Sequence, residues 1–249
     1  MRERAEIKAE AKDIMRSARV SPYVMTLILL VIGFVLDRVQ MLVEFGSPFF
    51  SASYAMEVYR AMLYGDSSAL EGIAASLPAQ TGTGFFFFSI LIALFTQILN
   101  AGYYIYCMGI RRGAEMPYST LADGLGVAGK LIWCWVQISV RTFLWSMLFI
   151  IPGIIAAYRY RFAYYNILTD DSVSAGEAIR RSCQQTMGRK GALFVLDLSF
   201  LGWAILSGFT FGLLQIWLTP YMTLCDLAYF EDAAGLSGGT AGIEDYSQY

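Results

Sequence analysis

The chain has 249 residues, of which 57% are hydrophobic and only 15% charged, with a net charge of −2 and no histidine. A soluble domain carries about a quarter of its residues as charges to cover its surface, so this composition excludes an ordinary soluble protein and makes lipid the main solvent. The near-neutral balance also excludes a bulk electrostatic nucleic-acid partner, and the missing histidine removes the commonest metal ligand and neutral-pH base, so no cofactor is expected.

The first segment, MRERAEIKAEAKDIMRSARVS, carries six Lys/Arg before any apolar run. Ile7, Ile14, Met15 and Ala18 recur at helical spacing and predict a basic amphipathic helix at the membrane surface. Its long charged region and the lack of an A-x-A site read as a retained segment rather than a cleaved signal. Span one is expected over about 22–43, with Asp37 and Arg38 near its far end. An acidic loop from 44 to 84 follows, with one short amphipathic helix in ASYAMEVYRAML and a second opened by a capping box from Ser68 to Glu71. Span two, about 85–110, ends at Arg111 and Arg112.

Span three is expected over about 130–151 and span four over about 153–169. One continuous helix through both would be about 60 Å long, twice the hydrocarbon thickness. The chain must therefore break, and Pro152-Gly153 is the expected place. Ser174 to Glu177 reads as another capping box, opening an amphipathic helix that carries Arg180 and Arg181. Spans five (about 191–207) and six (about 211–231) close the chain. The expected fold is all-α: a polytopic transmembrane bundle over 1–232, with six spans in three hairpins and basic amphipathic cytoplasmic helices. Residues 233–249 read as a disordered, Gly/Ser-rich tail.

Outside the spans, thirteen basic residues fall in three segments, before span one, between spans two and three, and between spans four and five, while the long acidic loop holds only Arg60. The positive-inside rule then puts both termini in the cytoplasm. Arg16, Arg19, Arg111, Arg112, Arg180, Arg181, Arg189 and Lys190 become candidate contacts for anionic membrane lipid, each worth about 1 kcal/mol near the surface.

Charges inside the spans are the sharpest feature. An arginine near a helix centre costs on the order of 3 kcal/mol on insertion scales, so such groups need partners. Arg161 and Arg159 lie about 12 and 15 Å from the cytoplasmic end of span four, and Asp197 and Asp226 about 9 and 7 Å into spans five and six. These depths predict a cluster of Arg159, Arg161, Asp197 and Asp226. Arg159 and Arg161 point about 200° apart on a helix, so one of them at most meets Asp197 directly. The cluster either holds helices in register or marks a charged pathway or an anionic headgroup site. Arg141, Asp37 and Arg38 are secondary candidates, with Asp37 facing Arg38 or Arg141.

Catalytic signals are lacking. There is no G-x-S-x-G, H-E-x-x-H or phosphate-loop pattern, and Cys107, Cys134, Cys183 and Cys225 have the wide spacing of buried reduced thiols rather than of a zinc site or disulfides. Three stretches, IIPGIIAAYRYRFAYYNILTDD, SAGEAIRRSCQQTMGRKGALFVLDLSFLGWAIL and TPYMTLCDLAYFED, resemble a bacterial integral membrane family, domain-of-unknown-function family nine hundred and seventy-five. They are more loosely similar to the membrane domain of some glycerophosphodiester phosphodiesterases, whose catalytic domain has no counterpart here. The resemblance runs over about 105–232 and implies a cytoplasmic-membrane protein without an assigned activity. The expected function is non-enzymatic, organising lipid or binding a partner; the alternative is a small transporter or channel using the intramembrane charges, and a homo-oligomer is compatible with both.

Overall fold

The computed structural model describes residues 2–45, 56, 59–61, 63–64, 68, 71–72, 83–210 and 212–236. The described residues fold as helices without strands: α1 (Arg4–Ser17), α2 (Pro22–Phe45), α3 (Thr83–Arg111), a 3-10 segment (Tyr118–Leu125), α4 (Ala128–Leu148), α5 (Ile150–Tyr160), α6 (Ala163–Thr169), α7 (Ala175–Gln185), α8 (Lys190–Phe209) and α9 (Gln215–Ala234). The two short helices expected in the 44–84 loop fall on residues most of which lie outside those described, as does the tail beyond 236. The chain divides into two compact units, one of residues 1–28 with 97 onward and one of residues 29–96.

Three helices are long and apolar enough to cross a membrane: Pro22–Val43, Phe87–Arg111 and Lys190–Phe209. They suggest a membrane protein, and they match the expected spans one, two and five. Their apolar sides are left exposed, as Phe34 at 59% and Leu198 at 53% illustrate.

The other expected crossings differ. α4 is long enough, about 31 Å, but carries Lys130 and Arg141. The break after it falls at Phe149, whose extended backbone (φ −162°, ψ 153°) turns the chain three residues before the expected Pro152. Pro152 instead stands in the first turn of α5, where a helix has no acceptor for an N–H and a proline is tolerated. The return leg is then interrupted again at Arg161 and Phe162, so span four is two helices of about 16 and 10 Å. Expected span six starts four residues later than read and runs on to Ala234, ending at Gly235 in the left-handed conformation (φ 74°).

The core is built around α9, which packs against α1, α7 and α8. Leu218, Leu224, Leu227 and Phe230 of α9 are buried. The stripe of α1 is Ile7, Ala11 and Met15, all buried with α9 alongside, while Glu6 and Arg16 face outward. The apolar face of this helix is therefore taken up by protein. α7 begins as expected: Ser174 Oγ accepts from the Glu177 N–H at 3.3 Å. The return half of the capping box does not form, because the Glu177 carboxylate accepts from Arg180 and Arg181.

Candidate functional site

Arg161 lies at the break between α5 and α6, and its guanidinium joins three helices. Nη1 and Nη2 donate to the two oxygens of Asp197 in α8, at 2.6 and 2.9 Å. Nε and Nη2 donate to Asp226 in α9, at 3.2 and 2.8 Å. The two-pronged geometry toward Asp197 is the strong, orientation-specific form of this contact. Two carboxylates face one guanidinium, and the excess negative charge is met by Tyr158 of α5, whose hydroxyl donates to Asp197 Oδ2 at 2.7 Å. The three charged side chains are 16–30% exposed, so the pairs are shielded without being sealed. Breaking such a pair by removing one partner leaves an uncompensated charge, which is where its energetic weight lies.

Arg159 takes no part through its side chain, which is exposed. Its carbonyl accepts from the hydroxyls of Ser182 in α7 and of Thr186, which caps that helix, at 2.9 and 3.3 Å. Of the four residues expected to cluster, Arg161, Asp197 and Asp226 come together and Arg159 does not. Among the secondary candidates, Asp37 pairs with its neighbour Arg38, whose guanidinium stands 5.1 Å from the Phe34 ring. Arg141 is half-buried on α4.

A second network was not foreseen. Arg111 Nε donates to Glu231 at 2.7 Å and its Nη2 to Glu10 at 3.0 Å. Arg2 donates to the other oxygen of Glu10 at 2.7 Å, and through Nε to Asp232 at 2.8 Å. Arg111 is only 3% exposed on its side chain, so its assignment as a lipid contact is corrected: it is buried between carboxylates from the first and last helices. The acidic end of TPYMTLCDLAYFED and Glu10 in the basic segment were the available signals. Beside this network Lys8 donates to Ser199 Oγ at 2.7 Å and stands over the Phe200 ring, and Lys12 stands over Tyr221.

The remaining candidate lipid contacts are varied. Arg16, Arg19 and Arg112 are exposed, and Arg19 pairs with Glu115. Arg180 pairs with Glu177, and Arg181 with both Glu177 and Asp170. The Ser172 hydroxyl and then the Arg181 guanidinium hold the Asp170 carboxyl below the usual carboxylate range. Arg189 and Lys190 are half-buried where α8 begins. Cys107, Cys134 and Cys225 are buried free thiols and Cys183 is half-buried. Among the described residues no group of His, Cys, Asp or Glu could hold a metal ion.

Residues 1–236 match the family described as "Protein of unknown function (DUF975)", and the chain belongs to it. The match takes in the first hundred residues, which lie outside the motifs quoted from the sequence. No curated protein and no solved structure matches the chain.

Proposed function

We propose that this family member is a non-enzymatic integral membrane protein of the bacterial cytoplasmic membrane, with both termini on the cytoplasmic side, that gathers anionic lipid through its basic face. One observation carries the choice against transport: the guanidinium of Arg161 is committed to Asp197 and Asp226 together, with Tyr158 completing the set. A cation held on two sides works as a tie between helices rather than as a mobile site. The exposed cations Arg16 and Arg112 then supply the attraction to anionic headgroups.

The runner-up is a small transporter or channel. The specific observation in its favour is that the cluster holds two carboxylates for one arginine, a net negative charge that could attract a cation. Reconstitution into phosphatidylglycerol and phosphatidylcholine vesicles separates the two. Enrichment of spin-labelled anionic lipid around the protein, without solute flux, is the expected result. Flux that is abolished by Asp197→Asn overturns it in favour of transport.

A further inference from the structure

α4 and α5 form a hairpin, and one close contact fixes its register. A Cβ on Gly153 would lie 2.3 Å from Ser146 Oγ and 3.0 Å from Ser146 Cα, so residues 146 and 153 face each other. The apex is midway, at Phe149 and Ile150. Counted outward from it, Arg141 on one leg and Arg159 on the other fall within one residue of the same level, about 13 and about 14 Å below the apex at 1.5 Å per residue. Every residue between them, 142 to 158, is uncharged. Leu144 and Trp145 are exposed one turn from Arg141, and Ile151 and Ile155 share a helical column with Arg159.

The base of this hairpin is polar. The hydroxyls of Ser182 and Thr186 bind the Arg159 carbonyl, and α7 carries the solvent-facing pair Glu177–Arg180. The uncharged run that an apolar medium can cover on both legs begins above the level of the two arginines. From there to the apex is about 13 Å, against about 15 Å for half of a 30 Å hydrocarbon core. α5 itself runs 11 residues before the chain breaks, about 16 Å, too short to cross. The apex also suits a place without water. The Phe149 N–H donates to the Trp145 carbonyl and the Phe149 carbonyl accepts from Gly153, while Pro152 brings no N–H to leave unpaired.

The geometry points to a re-entrant element: residues 142–158 enter one leaflet and turn back inside it, with Arg141 and Arg159 gripping phospholipid phosphates at its rim. The occupant of the exposed hairpin faces is the acyl region of that leaflet. This rests on the reading of the chain as an integral membrane protein and adds to it the lipid group that the hairpin binds.

The test places a single added cysteine at Met147 or at Phe149, positions 73% and 71% exposed that can change without disturbing the core. The full chain is studied in phosphatidylglycerol/phosphatidylcholine vesicles, with Ala114→Cys as the water-exposed control and the unaltered chain as the blank. Protection of both positions from a membrane-impermeant maleimide on either face is expected, together with strongest quenching of a fluorophore at 149 by lipids brominated near the chain ends. Labelling of 147 or 149 from the face opposite the termini means a full crossing and overturns the inference. Labelling from the face of the termini at the rate of Ala114→Cys overturns it too. Arg141→Gln with Arg159→Gln should lower the preference of spin-labelled phosphatidylglycerol for the protein by about fivefold per arginine. An unchanged preference removes the phosphate grip. Failure of the broader lipid-gathering reading, seen as no anionic enrichment in the unaltered protein, leaves the depth of residue 149 as a separate result.

Discussion

Asp197 and Asp226 share a single nitrogen of Arg161: Nη2 donates to Asp197 Oδ1 at 2.9 Å and to Asp226 Oδ1 and Oδ2 at 2.8 Å. The tie between α8 and α9 thus runs through a side chain of neither helix. Arg161→Leu leaves two carboxylates facing each other in a shielded site, and a loss of about 3–5 kcal/mol is expected. Asp226→Asn keeps the two-pronged contact with Asp197 and should lose less. Thermal unfolding in detergent, read by α-helical circular dichroism, ranks the two; equal losses would contradict the shared-nitrogen arrangement.

Tyr158→Phe removes only the hydroxyl that donates to Asp197. A hydrogen bond to a charged group contributes about 1.5–3 kcal/mol, and the partial exposure of this site places the loss at the lower end. In an Asp197→Asn background the same change should have little further effect. A double-mutant cycle checks this, and additive losses would show that the hydroxyl acts elsewhere.

Arg111→Ala leaves Glu10 and Glu231 without their common partner and should free α1 while the rest of the chain stays folded. The expected sign is faster amide exchange over residues 4–17 and a new protease cut near Arg19, with slow exchange retained in α8. Ile7→Ser attacks the same docking through its apolar stripe and should give the same pattern.

Gly153→Ala puts a methyl group against Ser146, with Oγ at 2.3 Å and backbone Cα at 3.0 Å. The hydroxyl can rotate away but the backbone must shift, so overpacking should cost about 1–3 kcal/mol. Ser146→Gly should restore most of that loss in the double variant. Unfolding curves for the three variants settle it.

Asp170 gives a pH dependence outside the spans. The Ser172 hydroxyl and Arg181 hold its folded-state pKa below the ordinary value. A carboxylate whose pKa is depressed by folding contributes stability above its unfolded pKa, near 3.9, and loses it as pH falls through the folded value. The gap in melting temperature between the parent and Asp170→Asn should therefore be constant from pH 7 to about 5 and close below about 4. A gap that widens on acidification would reverse the sign.

The partners of Arg161 were legible because helical rise converts sequence position into depth, and only a few charges stand in the apolar runs. Which arginine turns inward was half legible: the 200° separation says that Arg159 and Arg161 diverge. The choice between them is made by the break at 161–162, which no proline or glycine announces. Pro152 misled for a related reason, since the same ring that stops one helix fits the first turn of the next. The Arg111 network was illegible from local pattern. Its carboxylates come from positions 10 and 231, and counting basic residues by segment treats every one as free to meet lipid.

The clasp of Arg2 on Asp232 has a bearing on how the protein is made. A ribosome releases α1 well before α9, so α1 has no seat until α9 is finished. Through most of synthesis Ile7, Ala11 and Met15 stand uncovered, and something must shield them, whether the membrane surface or a chaperone. The docking of α1 can be completed only after α9 has been made.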